Sequence, residues 1–274
     1  MIFQKIDFTS VSPAYLEAYI HSPHDELKVG KRKAIIVCPG GGYEMLSERE
    51  AEPIALKYFA EGLNVFVLRY SIHSEAANFK PLIEACLAIK YLRDNADKLY
   101  VDPANVFITG FSAGGHLAAS AGTLWHIDEV KAHIGDADPT ICKPTAAVLC
   151  YPVITNDERY RHKGSILTLN GYRDVKEEMD RFSLENFVDE KTSPAFIWHT
   201  AKDSVVPVQN ALLYATALAS KRIPFELHIH PNGDHGLALC NEETQSCIPG
   251  YTLPYNADWI NYAIKWLKEE AFRK

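Results

Sequence analysis

The sequence predicts an α/β architecture: a mainly parallel, eight-stranded sheet with helices on both faces and a small cap insertion. Short apolar runs alternate with helical patterns along the chain. The central runs AIIVC, VFVL, VFIT, AAVLCY and AFIW are apolar almost throughout, as strands covered on both faces are. Glycine-rich segments, PGGGY at 39–43 and GFSAGG at 110–115, directly follow two of these runs.

In chain order, two strands are expected at 2–9 and 14–21, where apolar and polar residues alternate as in half-buried antiparallel strands. Further strands are expected at 34–38, 64–69, 105–109, 145–151, 195–200 and 225–230. A helix over 47–61 opens on Ser47 with Glu50 three residues later, the spacing of a capping box. In 81–96, Leu82, Ala85, Cys86, Ile89 and Leu92 recur at helical period. Helices follow at 112–124, 207–221 and 255–271, the last with Trp259, Ala263, Ile264 and Leu267 on one stripe. Such alternation implies right-handed crossovers between parallel strands. Residues 152–192 are polar, irregular and too long for a bare connector. Residues 238–254 form a second irregular segment. With no linker, repeat or low-complexity tract, residues 1–274 are expected to form one domain, with cap or lid insertions at about 152–192 and 238–254.

The 274 residues suffice for a large core without covalent staples. Hydrophobic residues at 47% and charged residues at 23% are ordinary globular proportions. The formal charge of −7 argues against nucleic acid as a partner, since phosphate backbones need clustered Lys and Arg. The start, MIFQKIDFTS, lacks a basic segment followed by a long apolar one, and no 18-residue apolar run suggests a membrane span. A cytoplasmic location is expected. None of the six cysteines forms a CxxC pair. Cys38 and Cys150 sit in strand-like runs as small hydrophobes, while Cys240 and Cys247 flank a loop they could bridge.

In GFSAGG, Gly110, Ser112 and Gly114 fit G-x-S-x-G between an apolar strand and a helix, the context a nucleophile elbow requires. A serine hydroxyl needs a base to attack at neutral pH. His235, in PNGDHG after the last strand, is the candidate base, and Asp203, in AKDSVVP after AFIW, the candidate acid. Asp234 is a rival, though neighbours on a tight loop rarely present side chains to each other; Asp174 and Asp180 lie in the insertion. His116 reads as a hydrogen-bonded core histidine, and His228 and His230 share one face of an outer strand. No metal is called for, because catalytic zinc needs three converging ligands. PGGGY lacks the Lys-Ser/Thr of a phosphate loop but fits an oxyanion hole, with amides of Gly41 or Gly42 joining that of Ala113. Tyr43, next to the glycines, either narrows the acyl pocket or packs in the core.

PGGGY, GFSAGGHLA, AKDSVVP and GDHG together resemble the acetyl esterase/lipase branch of the α/β-hydrolases. Within it they are similar to acetylxylan esterase-like and feruloyl esterase-like enzymes, over residues 30–270. Hormone-sensitive-lipase-type relatives carry HGGG where this chain has Pro39. The resemblance implies an α/β-hydrolase fold and a triad at Ser112, Asp203 and His235, the residues reached above. It also implies short acyl groups, acetyl first, on a carbohydrate or small alcohol. The expectation is thus a cofactor-free serine carboxylesterase acting on a small ester, with self-association left open. An amidase such as a formamidase, a small-peptide serine hydrolase and a non-catalytic ligand receptor of the same fold are the alternatives.

Overall fold

The computed structural model describes residues 1–245 and 252–273. Its strands are β1 (Ile2–Ile6), β2 (Tyr15–Ile20), β3 (Arg32–Cys38), β4 (Asn64–Arg69), β5 (Val101–Phe111), β6 (Ala147–Cys150), β7 (Ala195–Thr200) and β8 (Phe225–His230). All eight join one sheet in the order β1-β2-β4-β3-β5-β6-β7-β8. β2 pairs antiparallel with β1 and β4, and the remaining pairings are parallel. The helices are α1 (Glu52–Ala60), α2 (Lys80–Asp94), α3 (Ala113–Thr123), α4 (Asp128–Lys131), α5 (Lys163–Leu169), α6 (Lys176–Met179), α7 (Gln209–Ser220) and α8 (Trp259–Lys268).

The apolar strands are explained by their two covered faces. On β3, Ala34, Ile36 and Cys38 enter one core, while Ile35 and Val37 enter the other. Leu82 of α2, Leu117 of α3 and Leu218 of α7 complete the first core. Ile54 and Tyr58 of α1 and Trp259 and Leu267 of α8 complete the second. Truncating a central residue such as Ile36 to Ala would cost about 2–5 kcal/mol, because neither layer can collapse freely into the gap.

Three expectations need amending. β5 begins at Val101, earlier than 105, pairing with Arg32 before its register shifts. The capping box at Ser47 does not form: Ser47 makes no side-chain cap bond, and Glu48–Glu50 is a short 3-10 turn. α1 starts only at Glu52, with Pro53 in its first turn. Glu50 instead points inward, where a carboxylate must find donors, and it finds Gly40 N and Tyr151 OH. Third, 152–192, expected to be irregular, carries α5, α6 and two 3-10 turns.

The described part of 238–254 holds a 3-10 turn at Glu242–Thr244. Cys240 is a free, buried thiol, and Cys247, its suggested partner, lies outside the described residues. Among the described residues no helix is long and apolar enough to cross a membrane.

Parallel strands end together. The loops after β3, β5, β7 and β8 therefore share one edge of the sheet, the edge at which open α/β sheets bind ligands.

Candidate active site

Ser112 takes φ 54° and ψ −117°, a conformation that costs a non-glycine residue about 1–3 kcal/mol and persists only where neighbours enforce it. Ser112 N donates to Cys150 O, and Val153 N and His116 N donate to Ser112 O, each at 3.0 Å. The flanking glycines are required by close approach. A Cβ on Gly110 would lie 1.9 Å from Gly114 O, and one on Gly114 would lie 2.1 Å from Cys38 O.

The elbow turns the hydroxyl toward the loop after β8. Ser112 Oγ–H donates to His235 Nε2 at 2.7 Å, and His235 Nδ1–H donates to Asp203 Oδ2 at 2.6 Å. The carboxylate fixes the tautomer: with the proton on Nδ1, Nε2 is free to accept. Asp203 Oδ1 accepts the amides of Val205 and Val206 at 3.0 and 2.8 Å, which anchors the carboxylate. Asp234 turns away, accepting His235 N and Ser204 Oγ. Asp174 pairs with Lys163 and Asp180 with Lys176.

In the glycine run, Gly40 N donates to Glu50 Oε2 at 2.8 Å. The amides of Gly41 and Gly42 have no partner among the described residues. Ala113 is the first residue of α3, so its amide has no acceptor within the helix. Pro39 accepts Tyr70 OH at its carbonyl, 2.5 Å away.

These groups open on a cleft of about 500 Å³, lined among others by Gly41, Gly42, Ser112, His162, Leu167 and His235. Tyr43 is not part of that lining. It is 1% exposed, and its hydroxyl donates to His116 Nδ1 at 2.9 Å. His116 Nε2–H donates in turn to Phe182 O at 2.9 Å. Of the two readings of Tyr43, core packing is the one its surroundings fit. Burial pushes the His116 imidazole down to about 4.

Two residues of this region carried no usable signal in the sequence. His162 caps α5 and accepts Ser165 N at Nδ1. That leaves the proton on Nε2, which has no partner among the described residues. Burial, and then the nearby His235, hold its pKa below the usual histidine value. A histidine N-cap matches no helix-start pattern, so spacing could not have found it. The other is Glu50, whose position relative to Ser47 matched a capping box and pointed elsewhere. Among the described residues no group of three His, Cys, Asp or Glu is placed to hold a metal.

The BD-FAE family model matches residues 20–218. The chain is 40% identical over 231 residues to endo-1,4-beta-xylanase B of Butyrivibrio fibrisolvens, covering 83% of this chain and 35% of that protein. It is 33% identical over 214 residues to an acetylxylan esterase of Xylanibacter ruminicola, covering 76% of this chain and 41% of the relative. It thus spans about two fifths or less of the length of these curated relatives. The solved acetyl ester-xyloside bifunctional hydrolase from Caldicellulosiruptor lactoaceticus is 35% identical with a TM-score of 0.80, covering 97% of this chain and 93% of that one. The chain therefore has the α/β-hydrolase fold and belongs to the BD-FAE family.

Proposed function

We propose that this protein is a serine carboxylesterase that hydrolyses short-chain esters, acetyl first among them, through an acyl-enzyme. The observation that carries the reading is the unbroken hydrogen-bond chain Ser112–His235–Asp203, of which Ser112 and His235 line the cleft beside the unpartnered amides of Gly41 and Gly42.

Ser112 Oγ attacks the ester carbonyl as His235 Nε2 takes its proton. Asp203 stabilises the resulting imidazolium without itself becoming protonated. The carbonyl oxygen gains charge within reach of the Ala113 amide and that of Gly41 or Gly42; loss of one such donor costs about 10²–10³ in kcat. His235 then protonates the leaving alcohol, and the C–O bond to it breaks. Water repeats the sequence on the acyl-enzyme, with His235 again as base, and frees the acid and Ser112.

Acetylated carbohydrate is the substrate class that the relatives' names support, an acetylxylan esterase and an acetyl ester-xyloside hydrolase. Residues 152–192 act as the cap of a single catalytic domain: His162, Leu167, Thr168 and Tyr172 from this segment line the cleft and set its alcohol side. Among the described residues five cysteines are buried free thiols, the form a reducing compartment maintains, which supports a cytoplasmic location.

A substrate panel tests the reading. p-Nitrophenyl esters from acetate to octanoate, acetylated xylose and an aryl acetamide are compared by kcat/KM. Acetate is expected to lead the series, with acetylated xylose turned over and the amide inert. A maximum at octanoate, or preference for the amide, would overturn it.

A further inference from the structure

We infer that Glu50 and Tyr151 form a positioning pair that sets the glycine loop and the histidine loop against Ser112. The inference rests on the esterase reading above, yet neither side chain takes part in the proton relay.

Glu50 is a carboxylate only 3% exposed, and such a group is tolerated inside only when its oxygens are satisfied. Oε2 accepts the amide of Gly40 at 2.8 Å, and Oε1 accepts the hydroxyl of Tyr151 at 2.7 Å. The Tyr151 hydroxyl accepts in turn from the amide of Ala238, three residues past His235, at 2.9 Å. One chain of hydrogen bonds therefore runs from the glycine loop through Glu50 and Tyr151 to the histidine loop. Arg49, in the same turn as Glu50, adds a tie by donating to Gly236 O and Thr244 O at 2.9 and 3.0 Å.

Tyr151 is also the joint to the nucleophile. Its neighbours Cys150 and Val153 hold the backbone of Ser112 from both sides. Tyr151 itself has φ 36°, a left-handed value that an aromatic residue adopts only under constraint. Its ring meets the His235 imidazole edge-on, with centroids 5.2 Å apart at 72°. The packing leaves no slack: a Cβ on Gly40 would lie 2.6 Å from Glu50 Oε2 and 3.0 Å from Ser112 Cβ. By occupying the Gly40 amide, Glu50 leaves Gly41 and Gly42 as the unpartnered amides of the run.

A carboxylate accepts at both oxygens, whereas an amide offers one acceptor and one donor. Glu50→Gln therefore keeps Gly40 only by turning its NH2 toward Tyr151, which reverses that link and leaves the Tyr151 hydroxyl proton without its acceptor, and Tyr151→Phe removes the hydroxyl that joins the two loops. The control is Tyr214→Phe. Tyr214 is another buried tyrosine, its hydroxyl paired with Thr123 Oγ1 at 2.7 Å, and it is absent from the cleft lining.

Two quantities are measured for wild type, both single variants, the double variant and the control: steady-state turnover of p-nitrophenyl acetate, and the rate at which a fluorophosphonate labels Ser112. Each single variant is expected to lose about 10- to 100-fold in kcat, with KM within about threefold of wild type, because it misplaces groups rather than removing binding. The double variant is expected to be no worse than the poorer single, since both cut one chain. Tyr214→Phe is expected to keep kcat at a comparable loss of Tm. Folded single variants with kcat within about twofold of wild type, or a control that loses as much, would overturn the inference. Should Glu50→Gln not fold, Tyr151→Phe decides alone by the same criteria. If the wild type turned over no ester while Ser112 was still labelled, the esterase reading would fall and the labelling rates would carry the test. A Ser112 that did not react would overturn both.

Discussion

Asp203 determines which nitrogen of His235 carries the proton, through a contact of 2.6 Å made by a carboxylate that is itself held by two amides. Asp203→Asn keeps the shape but offers an NH2 where an acceptor is required. It is expected to lower kcat by about 10⁴-fold with little change in Tm, measured on p-nitrophenyl acetate. An effect of a few-fold would make another group the acid. Tyr43→Phe is expected to cost about 1 kcal/mol, the net value of its bond to His116, and to leave the acyl-length preference unchanged. A shifted preference would return Tyr43 to the pocket. The meeting of Ser112, Asp203 and His235 was legible because each stands in a short motif in the loop that follows a strand. His162 and Glu50 were not. Their positions follow from which way a loop side chain turns, and local spacing holds no record of that.

Helix α5 faces the cleft, and its attachment to the glycine loop runs through one carboxylate. Glu44 accepts Thr168 Oγ1 and Tyr172 OH, both at 2.6 Å, and pairs with His73 Nδ1 at 2.7 Å. The Thr168 and Tyr172 bonds, followed by that of His73, hold its carboxyl at about 2. A depressed carboxyl stabilises the fold above its unfolded value and loses that contribution as pH falls toward 2. Because Glu44 is exposed and solvent screens it, the contribution is under about 1 kcal/mol. Glu44→Ala is therefore expected to leave Tm nearly unchanged and to raise KM by about threefold or more, as the α5 wall loosens. An unchanged KM would detach α5 from substrate binding. At this scale all eight strands were legible in place, the central ones because continuous apolar runs mark strands covered on both faces, but not in length: β1 ends at Ile6 and β5 spans Val101–Phe111. The short helices of 152–192 were hidden, since α5 and α6 span too few turns to show a period. At α1, the proline of the first turn was a better start signal than the Ser47–Glu50 spacing.

Across the whole molecule, the mainly parallel sheet and the strand-end position of the site were foreseeable from alternation and handedness, and His116 from its place one turn after Ser112, whereas the burial of His199 was not. Burial holds both His116 and His199 at about 4. An unfolded chain binds protons at these sites below about 6.5, while the native state does so only below about 4. Stability from these sites is thus complete above about pH 6.5 and is lost as pH falls to about 4, by roughly 3 kcal/mol per residue. Urea midpoints are expected to drop steadily from pH 6.5 to 4.5, and His116→Gln to flatten that slope. A flat wild-type profile would contradict the buried, neutral assignment.

The central claim is that Ser112 is the nucleophile of an ester hydrolase. The most direct measurement compares p-nitrophenyl acetate turnover by wild type and Ser112→Ala at equal folded concentration. The account predicts measurable turnover by wild type and none above background by Ser112→Ala. Full activity in Ser112→Ala would contradict it.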